Sequence, residues 1–269
     1  SHLSIHDSFL CPADSPPATS LGRRRQRQRQ GGRGRQIENN SNTNPSKPYR
    51  TMKKVVCVHT AMALVGPLTE TFKKHFPEVE VEHIAESSLI KEVIKNNSVT
   101  PAVRRRLLDY YNAAADSGAD IIFNTCSSVG DIADMGNLIC RIPVFRIDRP
   151  MAEKAVRDAS RIGVISTLPT TLDPTCRLLR KCAEEAGRDV VLVEGLADGA
   201  FAAGQSGDGE THDRLIAEAA QRIAADVDLF VLAQGSMERM EGRLAELTGK
   251  PVLSSPVLGV KGLRQFMGF

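Results

Sequence analysis

The segment Ala119-Asp120-Ile121-Ile122-Phe123-Asn124-Thr125-Cys126-Ser127-Ser128 is a short apolar run that ends in a small polar loop carrying a cysteine. A second segment, Val227-Asp228-Leu229-Phe230-Val231-Leu232-Ala233-Gln234-Gly235-Ser236, has the same shape. Laid over each other without gaps, Asp120 meets Asp228, Ser128 meets Ser236 and Cys126 meets Gln234. A thiol can serve as nucleophile or as acid and base, and its reference pKa of about 8.5 falls beside a helix N-terminus. An amide hydrogen-bonds but exchanges no proton at neutral pH. With both loops on one cleft, the chemistry has a thiol on one side and an amide on the other. The opposing reading of Cys126, a small buried hydrophobe, sits poorly with its Asn, Thr and Ser neighbours. Cys57, Cys140, Cys176 and Cys182 lie in apolar strand or helix patterns and read as packing residues.

Further loops share the hydroxyl-rich character: His59-Thr60, Ser166-Thr167-Leu168-Pro169-Thr170-Thr171, Gln234-Gly235-Ser236 and Ser254-Ser255. Hydroxyls and backbone N–H groups at helix N-termini bind small anions. A single such loop reads as helix capping; several on the same side of a sheet predict a carboxylate cleft. His59 ends the first predicted strand, and two roles stay open for it: a donor to substrate or Cys126, or a structural histidine. His212-Asp213 falls in the first turn of a predicted helix and reads as surface capping. No G-x-G-x-x-G, P-loop or H-E-x-x-H pattern is present, and no metal site is expected. Gly204 to Gly209 reads as a flexible loop and a weak phosphate candidate.

The elements that must position these loops alternate. Strands are predicted at 55–58, 79–84, 121–123, 142–147, 162–165, 190–193, 229–232 and 251–253. Helices are predicted from Pro67 to about Phe76, from Pro101 (capped by Thr100) to near Gly118, and from Asp173-Pro174 to Gly187. Two more run from a cap at Thr211 to about Ala225 and up to near Gly249. The alternation implies parallel sheets with helices on both faces, which bind ligands beyond the carboxyl ends of their strands. Val56-Cys57-Val58-His59-Thr60 resembles Gly163-Val164-Ile165-Ser166-Thr167 at an offset of 107, Pro67 and Pro174 share that offset as expected helix starts, and Pro143-Val144 returns as Pro251-Val252 at 108. These repeats predict an internally duplicated, two-lobed α/β protein.

The chain has 269 residues, of which 41% are apolar and only 4% aromatic, with no Trp. A sizeable aliphatic core follows. No apolar run approaches the ~20 residues of a membrane span. The net charge of +3 is unevenly placed: residues 1–52 hold nine Lys and Arg against three Asp and Glu, leaving 26 against 29 in the remainder. The folded part is mildly acidic, which speaks against nucleic-acid binding by the fold itself. Six cysteines without C-x-x-C spacing imply free thiols in a reducing, cytoplasmic compartment. Residues 1–51 are Arg-, Gln-, Gly-, Asn- and Pro-rich and read as a disordered basic leader: a tail or extension ahead of Met52, an address signal, or a nucleic-acid-binding arm. The expected boundaries are 1–51 for this leader, 53–149 for the first lobe (completed by 254–269) and 150–253 for the second.

The two-lobed plan, Asn124-Thr125-Cys126 after a first-lobe strand, and Ile162-Gly163-Val164-Ile165-Ser166-Thr167 opening the second lobe together resemble the aspartate/glutamate/hydantoin racemase superfamily. The resemblance covers about residues 53–269. It implies two pseudo-symmetric flavodoxin-like lobes with the active site in the cleft between them, and catalysis with neither metal nor pyridoxal phosphate. It also implies two cysteines, one per lobe, that take and return the α-proton on opposite faces of the substrate. Carried over, Cys126 matches the first-lobe cysteine, and Thr60, Asn124, Thr125, Thr167, Thr170 and Thr171 match carboxylate-holding positions. The second cysteine falls in Val231-Leu232-Ala233-Gln234-Gly235-Ser236-Met237, where this chain has Gln234.

The resulting expectation is a cofactor-independent racemase-like isomerase that acts at the α-carbon of a small carboxylate such as an amino acid or hydantoin. Cys126 is the acid/base, with His59, Thr60, Asn124, Thr125, Ser127, Thr167, Thr170, Thr171, Gln234, Gly235 and Ser236 around the substrate. Gln234 argues against two-base racemisation. A one-cysteine decarboxylase or lyase of the same scaffold and a carboxylate-binding protein without catalysis are the alternatives. No charged side chain is expected to read the far end of the substrate, and a homo-oligomer is left open.

Overall fold

Two parallel four-stranded sheets form the frame, with strand orders β2-β1-β3-β4 and β6-β5-β7-β8. The computed structural model describes residues 53–269, and the expectations for the basic leader lie outside these. The strands are β1 (Lys53–His59), β2 (Val79–Ala85), β3 (Ile121–Asn124), β4 (Val144–Arg146), β5 (Arg161–Ser166), β6 (Val191–Leu196), β7 (Leu229–Leu232) and β8 (Val252–Leu253). All eight expected strands are present. The helices are α1 (Val65–His75), α2 (Ser87–Asn96), α3 (Pro101–Asp116), α4 (Gly130–Ile139), α5 (Arg149–Asp158), α6 (Pro169–Glu185), α7 (Ala200–Gln205), α8 (Gly209–Ile223), α9 (Glu241–Thr248) and α10 (Ser255–Phe266). None of the helices described is long and apolar enough to cross a membrane.

The duplication is written into equivalent hydrogen bonds. Asp120 accepts the Lys54 N–H at 2.7 Å at the start of the first sheet, and Asp228 accepts the Arg161 N–H at 3.0 Å at the start of the second. Ile122 N–H donates to the Pro143 carbonyl, and Phe230 N–H to that of Pro251. At the carboxyl ends, Thr125 N–H reaches the Val58 carbonyl and Ala233 N–H reaches that of Ile165. The same edge contacts therefore fix strand register twice.

Each sheet is buried on both faces, as parallel sheets require. Val56, Val58 and Ile122 pack toward α3 and α4 residues, while Val55, Cys57 and Phe123 pack with Leu68 and Phe72 of α1 and with Val260 and Leu263 of α10. Ile162, Val164 and Val231 pack with α5 and α6, and Ile165, Phe230 and Leu232 with α8 and α9. The fully buried strands explain why β3 and β7 read as unbroken apolar runs.

Three helix starts differ from expectation. Pro174 lies inside α6, which begins at Pro169, and Pro67 is the third residue of α1. Proline is tolerated in a first turn because those N–H groups have no intrahelical partner, which suits Pro67 and Pro169; Pro174, the sixth residue of α6, lies past that turn and gives up the bond to the Thr170 carbonyl, so a proline marks a helix start only to within several residues. The cap of α8 is Asp208, whose carboxylate accepts the Thr211 N–H at 3.0 Å, and not Thr211 itself. The segment 204–209 closes α7 and opens α8, with Gly207 in the left-handed region at φ +84°. Helices α2, α4, α5, α7 and α10 carried no expectation. The first of them is held by Glu86, whose carboxylate accepts the Ser88 N–H at 2.8 Å, and ends on left-handed Asn97.

Candidate active site

A cavity of about 380 Å³ opens between the carboxyl ends of the two sheets, a size suited to a small ligand. Thr60, Thr125, Cys126, Ser127, Thr167, Thr171, Gln234, Gly235 and Ser236 all line it. Nine of the expected site residues, from both lobes, thus share one wall system.

Cys126 is half-buried and caps the short 3-10 turn Ser127–Val129 that leads into α4. Burial pushes its thiol pKa up, opposed by hydrogen bonds from the Thr60 side chain and from the Ser128 and Val129 backbone N–H groups. Hydrogen bonds to sulfur favour the thiolate once a proton leaves. Behind the loop, Asn124 donates from Nδ2 to the Cys126 carbonyl at 3.1 Å and accepts from the Tyr111 hydroxyl at 3.0 Å. Beneath the start of α4, the Arg146 guanidinium is buried and paired with Asp148 at 3.0 and 3.1 Å. A Cβ at Gly130 would come within 2.2 Å of Arg146 Nη2, so a side chain there would push the guanidinium from its place against the helix start.

Three expected residues take other places. Asn124 is fully buried and holds the loop from behind. Thr170 lines an adjoining hollow with Val93, Asn97 and Pro174. His59 sits one layer back, 1% exposed: its Nδ1 is 2.9 Å from Thr125 Oγ1, and its Nε2 is 2.9 Å from His83 Nδ1. Burial, reinforced by His83, lowers its pKa to about 4. The direct donor role left open for it is corrected to a packed, neutral ring that supports Thr125. Ser254 and Ser255 are buried and do not line the cavity.

Gln234 occupies the second-lobe position without facing Cys126 as a proton donor. Its Oε1 accepts the Thr167 N–H at 2.9 Å and the Ser166 hydroxyl at 3.2 Å, and its Nε2 donates to Thr167 Oγ1 at 2.6 Å. Across the cleft, the Ser128 and Thr171 hydroxyls are 2.7 Å apart and join the Cys126 loop to the first turn of α6.

The remaining walls hold Ala61, Ala63, Leu64, Ile90, Leu168 and Phe201, together with His212 and Arg239. A charged side chain therefore does reach the cavity, contrary to expectation, although Arg239 is paired with Asp213. His212, expected as a surface cap, lies on the cavity wall with its Nδ1 2.8 Å from Asp213 Oδ1. A histidine beside the start of a helix was its only signal in the sequence. Cys57, His59 and His83 bring three potential metal-ligand atoms together beneath β1. Their ring nitrogens already form a continuous chain from Thr125 through His59 and His83 to Thr69, whose hydroxyl is 2.9 Å from His83 Nε2.

Residues 55–263 match the family model described as Asp/Glu/Hydantoin racemase. Comparison with curated protein sequences returns no match. Among solved structures, the fold is similar to allantoin racemase from Klebsiella pneumoniae, with a TM-score of 0.61, 17% identity, and 80% of this chain and 87% of that one covered. Glutamate racemase from Francisella tularensis gives a TM-score of 0.64 at 11% identity, covering 80% of this chain and 81% of that one. Aspartate racemase from Picrophilus torridus gives 0.60 at 12% identity, covering 80% and 94%.

Proposed function

The chain belongs to the Asp/Glu/hydantoin racemase family, and from that premise we propose that it is a racemase-like isomerase in which Cys126 exchanges the α-proton of a small carboxylate or hydantoin. The observation that supports this reading is the Cys126 thiol on the wall of the interlobe cavity, among the hydroxyls of Thr60, Thr125, Ser127 and Thr167. The Cys126 thiolate removes the α-hydrogen and becomes a thiol. Charge then develops on the substrate oxygens, where preorganised donors are worth most. Thr167 is suited to that task. Gln234 Nε2 donates to its oxygen, which leaves the Thr167 hydroxyl hydrogen free for an anion in the cavity. The proton carrier is the protein's own sulfur, so the proposed step needs no cofactor.

The walls favour one substrate class within the family. Beyond the hydroxyls, the Cys126 thiol, the amides of Gln205 and Gln234 and the His212 ring, they are aliphatic and aromatic, and the single guanidinium is already paired with a carboxylate. A second substrate carboxylate would have to compete with Asp213 for Arg239. An acid or hydantoin with an apolar or neutral substituent fits better than a dicarboxylic amino acid.

The test is deuterium exchange at the α-carbon in D2O, followed by proton NMR. Single enantiomers of phenylalanine, leucine, glutamate, aspartate, allantoin and 5-benzylhydantoin are offered to the intact protein and to Cys126→Ala. Exchange that depends on Cys126 and favours neutral substituents is expected. Exchange that survives unchanged in Cys126→Ala would remove the thiol from the mechanism.

A further inference from the structure

We propose that His212 is the second proton-exchanging residue of this site, standing on the opposite lobe where the sequence position of a second cysteine holds Gln234. The inference rests on the reading of Cys126 as acid/base and extends it to the other face of the substrate.

Inversion at carbon needs a donor on the face opposite the one from which the proton left. Among the residues lining the cavity, only Cys126, His212 and Arg239 carry a titratable group. Arginine does not release a proton in proteins, whereas histidine is the side chain suited to proton exchange near neutrality. Serine and threonine hydroxyls and the amides of Gln205 and Gln234 do not serve. Elimination therefore leaves one partner for the thiol.

The placement agrees. Cys126 follows β3 of the first sheet, and His212 lies in the first turn of α8, which packs on the second. The two reach one cavity from different lobes. His212 Nδ1 is occupied, 2.8 Å from Asp213 Oδ1 and 3.2 Å from Arg239 Nη2, so Nε2 is the nitrogen left to exchange a proton. A carboxylate behind the ring fixes its orientation and stabilises an imidazolium, as in other histidine acid–base pairs. Arg239 holds that carboxylate in turn. On the far edge, a Cβ at Gly204 would lie 3.0 Å from His212 Cδ2, and the missing side chain leaves the ring its space.

Protons balance in both directions. In one, the thiolate takes the α-proton and the imidazolium Nε2–H returns a proton to the other face, leaving thiol and neutral imidazole. In the other, neutral imidazole takes the proton and the thiol returns one, restoring thiolate and imidazolium.

The experiment follows each pure enantiomer of the acids and hydantoins above in D2O, with deuterium incorporation read by NMR and inversion by chiral chromatography. His212→Gln and His212→Asn are both made. The asparagine amide can keep the contact to Asp213, and far-ultraviolet circular dichroism checks the fold. Both variants are expected to lose inversion by at least about 100-fold, within the range general acid–base groups supply. They should still exchange, with retention, the enantiomer whose α-hydrogen faces Cys126. Cys126→Ser should exchange only the opposite enantiomer. Inversion within threefold of the intact protein in both His212 variants overturns the proposal. So does equal loss of exchange from both enantiomers. Exchange of both enantiomers by Cys126→Ser, or none by the intact protein, instead overturns the reading of Cys126 on which it rests.

Discussion

Gln234 clasps Thr167 from the neighbouring strand, accepting its backbone N–H at 2.9 Å and donating to its hydroxyl oxygen at 2.6 Å. The amide thus fixes which way the Thr167 hydroxyl can donate. Gln234→Glu keeps the shape and the acceptor but removes the Nε2 donor. Thr167 would then give its hydrogen to the new carboxylate and not to the substrate. The expected result is a KM raised about tenfold or more, with a smaller change in kcat, since the loss of a charge-assisted hydrogen bond is worth roughly 1.5–3 kcal/mol. Steady-state kinetics on whichever acid exchanges fastest checks this.

Cys126 should be the thiol that substrate protects. Burial pushes its pKa up, so its alkylation by iodoacetamide should accelerate as pH rises through and beyond the ordinary thiol range. Thr60→Val removes a hydrogen bond that favours the thiolate, so the profile should move to still higher pH. Cys176 and Cys182, buried and raised to about 11, should stay unmodified in the folded protein. Peptide mass mapping with and without bound acid separates Cys126 from the half-buried Cys140.

Asp148 neutralises a guanidinium that has almost no access to water. Asp148→Ala would strip Arg146 of its bidentate partner and leave only the longer contacts to Asp134 and Asp131, at 3.4 and 3.6 Å. Breaking a buried pair from one side costs about 3–5 kcal/mol. Urea unfolding should show a loss of that size, and the loop behind Cys126 should lose activity before the fold does.

Glu86 should contribute to acid stability. Its pKa is lowered to about 2, chiefly by the Ser88 backbone N–H, with help from the Ser88 and Tyr110 side chains and Arg106. The unfolded chain binds this proton at higher pH than the folded one. The stabilisation is therefore complete above the ordinary carboxylate value and is lost as pH falls from there toward 2. Glu86→Gln should lower stability at pH 7 by about 1 kcal/mol, the usual worth of an N-cap, and have little effect at pH 2. Thermal melts at the two pH values test the sign.

The strands were legible because each is a short apolar run bounded by turns, and the doubled pattern of Asp120 with Asp228 and Pro143 with Pro251 marks corresponding edges. Helices α2, α5 and α10 were less legible. Their faces are defined by what they pack against, and α10 finds its partners in the first sheet, Val55 and Phe123, far away in sequence. The first-lobe half of the site was readable because Thr60 and Cys126 sit at the ends of their own strands. His212 and Arg239 were not, because they enter the cavity from α8 and from the turn before α9, elements that only tertiary packing brings there. Asn124 and His59 show the opposite error: polar side chains at strand ends that turn inward and hold the loop from behind.

The Ser128 and Thr171 hydroxyls tie the two halves together two residues from Cys126. Any hinge motion wide enough to admit or release a molecule along that seam must part this pair. Parting it frees the same Ser128 whose backbone N–H steadies the thiolate. A motion of that kind would thus act on the very turn that carries the Cys126 thiol, coupling access to the cavity with the setting of its sulfur.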